Sequence, residues 1–123
     1  MLKKDILRRK DDFNSIYRKG RSIGERYVVL FYRKNDLSYN RTAFLASKKV
    51  GNSVERNRAR RLMKENYRFL KDNIKPGHDI IFIARNTING MKAQDVGRSM
   101  KGALRRARLT AARGDEKVKK DQR

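Results

Sequence analysis

Ser47-Lys48-Lys49-Val50-Gly51-Asn52-Ser53-Val54-Glu55-Arg56-Asn57-Arg58-Ala59-Arg60-Arg61-Leu62-Met63-Lys64-Glu65, running on to Asn66-Tyr67-Arg68-Phe69-Leu70-Lys71, is the stretch on which the reading turns. Advancing about 100° per residue from Val54, the apolar Ala59, Leu62, Met63, Tyr67 and Leu70 fall on one side of a helix. Arg60, Lys71, Lys64, Asn57, Arg68 and Arg61 fall opposite, with Arg56 at the border and Arg58 beyond the other edge. Asn52 followed three residues later by Glu55 is a capping-box pair. The spacing therefore predicts a helix over 53–71 with one buried face and one positive face. A merely solvated face tends to mix signs at i,i+4 spacing, whereas stacked like charges repel. From Val54 to Lys71 there are seven basic residues and only two acids, Glu55 and Glu65. A phosphate backbone would offset that repulsion, and arginine suits forked hydrogen bonding to phosphate.

Outward from this helix the chain reads as mixed α and β. Residues 1–10 look like an extended basic arm. Asp11 or Asp12 is expected to cap a short helix carrying Phe13, Ile16 and Tyr17 on one face, ended by Gly20. The run 26–33 is dense in β-branched and aromatic residues and reads as a strand. Tyr27, Val29 and Phe31 alternate with Val28, Leu30 and Tyr32, so both faces are apolar and both should be covered or used. Residues 35–40 read as a hairpin loop and 42–47 as the next strand. After Lys75-Pro76-Gly77 comes a buried-type strand over 79–85. A last helix is expected over 92–109, its stripe formed by Val96, Met100, Ala103, Leu104 and Ala107. Residues 110–123 hold five basic and three acidic side chains and read as a disordered basic tail. The outline is α-β-β-α-β-α, an α+β or split β-α-β sandwich around one sheet, with one domain over 1–109.

Composition narrows the function. The 123 residues carry 34 Lys+Arg against 13 Asp+Glu, a net +21, so a polyanionic partner is the first expectation. There is no Cys, which removes disulfides, thiolate nucleophiles and Cys-based zinc sites. No apolar run approaches a membrane span and the start lacks a secretory h-region, so a cytoplasmic location is expected. The single histidine, His78, follows Pro76-Gly77 in a turn and reads as solvated. Asp11-Asp12 is the one pair of adjacent aspartates. Helix-start electrostatics account for it more simply than acid–base work, and a metal ion bridging to RNA phosphate is the alternative. No self-sufficient active site is legible.

Aromatics beside basic residues favour RNA or single strands, since they make stacking platforms. Phe13 and Tyr17 sit near Lys10, Arg18, Lys19 and Arg21, while Tyr27 and Phe31 share a strand face. Phe13 and Phe31 read equally well as core residues. Asn52, Ser53 and Asn57 at the helix start keep a duplex-DNA reader open, although no helix immediately precedes to make a helix-turn-helix.

The run 47–65, with its Lys-Lys-aliphatic-Gly-Asn turn leading into Arg56-Asn57-Arg58, resembles the signature of the bacterial ribonuclease P protein component. The resemblance extends to Asp12-Phe13 with Tyr17, which stands where the family often has Phe, and to the strand 80–85. It implies a protein subunit whose catalytic RNA partner cuts the 5′ leader from precursor tRNA with Mg2+ held mainly by the RNA. It implies that Lys48, Lys49, Asn52, Arg56, Asn57, Arg58, Arg60, Arg61, Lys64 and Arg68 face RNA. Phe13, Tyr17 and Phe31 would line the cleft for the single-stranded leader. The implied fold resembles the second domain of ribosomal protein S5, α-β-β-β-α-β-α. It adds a short strand near 21–24 that periodicity does not reveal, and a left-handed β-α-β crossover. A ribosomal or other structural RNA-binding protein is the alternative, and a free-standing nuclease is disfavoured by the missing His and carboxylate constellation.

Overall fold

The computed structural model describes residues 2–110. The expected tail therefore lies outside the described residues beyond Thr110, which is itself buried. In chain order the elements are α1 (Lys10–Lys19), β1 (Arg21–Gly24), β2 (Val28–Lys34), β3 (Arg41–Leu45), α2 (Ser53–Leu70), β4 (His78–Ala84) and α3 (Ala93–Arg106), with short 3-10 turns at Lys3–Asp5, Lys71–Asn73 and Asn86–Ile88. The four strands form one sheet in the order β1-β2-β4-β3.

That order corrects the hairpin reading of 35–40. β2 pairs antiparallel with β4, and β4 pairs parallel with β3, so the 35–40 loop carries the chain past the place that β4 occupies. The reason lies in β4 itself. Ile80, Ile81 and Phe82 are fully buried, so this strand is apolar on both faces and belongs in the sheet centre. β3, shorter and flanked by polar residues, is left at an edge. The connection β3-α2-β4 then brings two parallel neighbours together through α2.

Alternation in the strands sends each face to different helices. Val28, Leu30, Phe44, Ile80, Phe82 and Ala84 face α2 and α3, where they meet Ala59, Leu62, Met63 and Tyr67 together with Val96, Met100, Ala103 and Leu104. On the other face Ala43 and Ile81 meet Leu7 and Ile16, with Phe13, Phe31, Leu45 and Ile83 partly buried around them. The second face is thus covered only in part, by α1 and the segment before it.

Among residues 2–10, the middle of the expected arm is packed onto the sheet rather than standing off. Leu7 is buried, its N–H donates to the Thr42 carbonyl at 2.9 Å, and Ile6 forms a parallel bridge with Thr42 at the outer edge of β3. Leu7 closes a gap that α1 leaves over the sheet. Neither aspartate is the helix cap: α1 begins after Arg9, with Asp11 and Asp12 both in the first turn.

Gly20 joins α1 to β1 where two backbones converge. A Cβ there would stand 2.5 Å from the Ile16 carbonyl oxygen and 2.7 Å from that of Tyr32. Backbone atoms give way less readily than side-chain ends. Gly20→Ala should destabilise the fold by about 1–3 kcal/mol, the usual cost of overpacking, as urea unfolding would measure.

Candidate nucleic-acid interface

The turn before α2 is built for one conformation. Gly51 has φ of +144°, which L side chains rarely adopt, and this turns the chain from Val50 into the helix. The Asn52 side chain accepts from the Glu55 N–H at 2.9 Å, and the Glu55 carboxylate accepts from the Asn52 N–H at 3.1 Å. The capping box read from sequence is therefore formed. It commits the Asn52 amide to the helix start and leaves Lys48 and Lys49 exposed on the turn.

Along α2 the basic residues divide by what they already touch. Arg58 is half-buried and donates to the Met91 carbonyl at 2.6 Å, so it pins the segment before α3. Arg60 donates to the Asn57 side chain. Arg61, 66% exposed, lies 4.0 Å from Glu65, a weak surface pair. Arg56, Lys64 and Arg68 have no ion pair or side-chain hydrogen bond among the described residues. With Arg60 they recur every four residues, so the stripe climbs the helix for roughly 18 Å while slanting about 40° around it at each step.

The lower half of that stripe opens onto a groove of about 470 Å³. Lys64, Arg68 and Lys71 form one wall, β3 from Thr42 to Leu45 the floor, and Ile6, Leu7 and Phe13 the far side. The edge of β3 contributes backbone as well. Thr42 gives its carbonyl to Leu7, and by strand alternation the Phe44 N–H and C=O point the same outward way. Cations, an apolar ring and free backbone polar groups thus share one groove, a combination suited to a single-stranded polyanion with bases.

Phe13, Tyr17 and Phe31, the trio named by the family resemblance, lie together, and of the three only Phe13 lines the groove. The ring centroids of Phe13 and Tyr17 are 6.5 Å apart, and Tyr17 meets Phe31 edge-on at 5.1 Å. Their exposure differs: Phe13 and Phe31 are half-buried against the second core cluster, while Tyr17 is 41% exposed. The open stacking surface therefore belongs chiefly to Tyr17. Burial raises its phenol above the ordinary value, so at neutral pH the hydroxyl stays protonated and can donate.

What holds α1 in place was not legible in the sequence. Asp79 at the start of β4 is 0% exposed. Arg41 Nε and Nη2 donate to its two oxygens at 2.8 Å each, and the Asn35 side-chain amide donates at 3.0 Å. Arg33 approaches the same carboxylate at 3.4 Å and also donates to Ser15 of α1. Asp12 of α1 pairs with Arg41 at 3.5 Å and with Arg33 at 3.9 Å. Asp12 thus serves as an anchor beneath the aromatic face.

Comparison with known proteins gives a consistent answer. Residues 1–108 match the family model described as Ribonuclease P. The Ribonuclease P protein component of Alkaliphilus metalliredigens is 41% identical over 103 residues, covering 84% of this chain and 93% of the relative. That of Clostridioides difficile is 39% identical over 105 residues, covering 85% and 92%. Among solved structures, a mutant RNase P protein from Staphylococcus aureus superposes with a TM-score of 0.81 at 32% identity, covering 87% of this chain and 91% of that one. The RNase P protein from Thermotoga maritima gives 0.75 at 30% identity, covering 81% and 94%.

Proposed function

The chain belongs to the Ribonuclease P protein family, and from that premise we propose that it docks on a catalytic RNA through α2 and grips the single-stranded 5′ leader of precursor tRNA in the groove bordered by Phe13 and continued past it by Tyr17 on α1. Membership carries the coarser part: RNA binding, tRNA processing and association with an endoribonuclease complex. The finer division of labour is the proposal. One observation supports it above the others: Lys64 and Arg68 belong both to the basic stripe and to the groove that Phe13 borders. An RNA lying along the stripe and a leader lying in the groove would be held by adjoining residues, and only the precursor has a leader to hold.

The cutting step is assigned to the RNA, acting in the cytoplasm. Magnesium ions held mainly by that RNA would activate the attacking water and neutralise charge at the scissile phosphate. The chain's own carboxylates do not fit a protein-only seat for such an ion. No cluster of three His, Asp or Glu converges among the described residues, and Asp12 and Asp79 are taken up by arginines. This protein's share is to bind, to orient, and to lower the repulsion between two polyanions. Among the described residues no helix is long and apolar enough to cross a membrane.

Precursor-tRNA cleavage at low magnesium tests the assignment, using RNA subunit alone, protein alone and the two together. Stimulation only in the combined reaction is the expected result. Cleavage by protein alone would overturn it, and no stimulation would favour a purely structural RNA-binding role. In the same assay Tyr17→Ala should weaken precursor binding by roughly 5–100-fold, the worth of one stacked base. Mature tRNA binding should stay nearly unchanged. Equal losses on both RNAs would count against the groove as the leader site.

A further inference from the structure

A second concentration of positive charge lies at one end of the sheet, where β1 and β4 start and β2 finishes. There the end of α1, the start of β1, the end of β2, the turn before β4 and the end of α3 enclose a basin of about 550 Å³. Lys19, Arg21, Lys34, Lys75 and Arg108 border it, all exposed, over a floor that includes Tyr32 and the buried Leu109. No Asp or Glu lines it, and among the described residues none of those five side chains has an ion pair or hydrogen bond. Elsewhere arginines are used up inside the fold: Arg41 by Asp79, Arg58 by Met91, Arg106 by Glu25 and Gly24. Arg33 also borders the basin, but its charge is held by Asp79 and Asp12.

Helix ends alone do not account for the cluster. α1 and α3 both finish here, and each helix C-terminus carries roughly half a negative charge. Two such ends amount to about −1 against five positive side chains, leaving about +4. The backbone adds an independent sign. Arg108 sits just past α3 at φ +61°, its N–H donating to Arg105 and that of Leu109 to Leu104. This left-handed position after a helix is where glycine is favoured. Here an arginine occupies it at a conformational cost, with its charge brought to the basin rim.

We infer that this basin is a second docking site for RNA phosphodiester backbone, used by the large RNA subunit rather than by the leader; the inference rests on the RNA-docking function proposed above. Two features select that occupant. The basin's aromatic side chain, Tyr32, is half-buried against the main core cluster, and no exposed ring like that of Tyr17 lines it. A single strand gains much of its binding from stacking, so a folded RNA presenting fixed phosphates fits better. Its position is the other. The basin lies across the ends of β1, β2 and β4 and shares no lining residue with the groove at β3, so a leader lying in that groove does not fill it. A folded RNA gripping both α2 and the basin would clamp the protein.

The test uses the full chain with transcribed ribonuclease P RNA, titrated over a salt series. Lys34→Ala with Arg108→Gly removes two basin charges, and Arg26→Ala with Arg98→Ala removes two from another surface as a control. The basin pair should lose about tenfold in affinity near 150 mM salt and reduce the log–log salt slope by roughly 1.5 units. The control pair should lose threefold or less, and neither should change the precursor-to-mature preference. Arg108→Gly alone should melt a few degrees higher while binding the RNA more weakly, which a loss of folding would not produce. A basin pair indistinguishable from wild type or from the control in slope would overturn the inference. So would a loss confined to leader discrimination. Absence of RNA binding by the wild type would defeat the functional proposal first, and in that case changes in α2 would be equally silent.

Discussion

Arg56→Ala, Lys64→Ala and Arg68→Ala combined should lower affinity for the RNA subunit on the order of 10²-fold near 150 mM salt, and flatten its log–log salt dependence by about 2–3 units. Each of the three lies on the α2 stripe without an ion pair or side-chain hydrogen bond among the described residues. Their removal takes nothing from the core, and relief of like-charge repulsion along the helix should leave the melting temperature unchanged or slightly higher. Arg58→Ala makes the informative contrast. It loses the hydrogen bond to the Met91 carbonyl and should cost stability while leaving the salt slope nearly intact. Filter binding across salt concentrations, paired with thermal melts, separates the two. A triple variant with wild-type slope would remove α2 from the RNA interface.

The parts of this molecule that sequence makes legible are those whose determinants lie close together in the chain. α2 is the clearest case. Its cap, apolar side and basic side sit within 20 residues, and its structure spans Ser53–Leu70 with Asn52 as cap. β1 is the opposite. Arg21-Ser22-Ile23-Gly24 has one apolar residue, and it is a strand because Ile23 pairs with Leu30 at the free edge of β2. Family resemblance supplied that strand, and periodicity did not. The hairpin reading of 35–40 failed on a signal that was present: 80–82 is apolar on both faces, which calls for the sheet centre and excludes β3 from lying beside β2. Basic neighbours made Phe13 and Tyr17 readable as a pair, and the family resemblance added Phe31, but which ring keeps an open surface depends on packing against Leu7, Ile16 and Ile81. The groove and the basin were not readable at all. The basin draws its five cations from four separate stretches of chain, and no local pattern announces that they meet.

The carboxylate of Asp79 was equally hidden, since its partners Arg33, Asn35 and Arg41 lie 46, 44 and 38 residues away, and its loss should have the largest effect on folding. Asp79→Asn is expected to destabilise the protein by about 2–4 kcal/mol at pH 7. Breaking a buried ion pair usually costs somewhat more, but both arginines keep about a fifth of their side chains in solvent. The change would leave two guanidinium groups side by side with Asp12 as their remaining carboxylate, in a chain already at +21. Its pH dependence gives a sharper check. Burial pushes Asp79 up, but hydrogen bonds from Arg41 and Asn35 and the charges of Arg41 and Arg33 outweigh it, so its pKa lies below the ordinary carboxylate value. A group with a lowered folded pKa contributes its full stability above the unfolded value, near 3.9, and loses it as pH falls through the folded value. The gap between wild type and Asp79→Asn in urea unfolding should therefore be constant from about pH 7 to 5 and narrow below about pH 4. A gap independent of pH would mean that the carboxylate charge is not what holds the cluster. Because the same arginines grip Ser15 and Asp12, loosening them frees α1 and with it Phe13 and Tyr17. Folded Asp79→Asn protein should thus lose precursor-over-mature discrimination while retaining most of its salt-dependent affinity for the RNA subunit, which α2 supplies independently of this cluster.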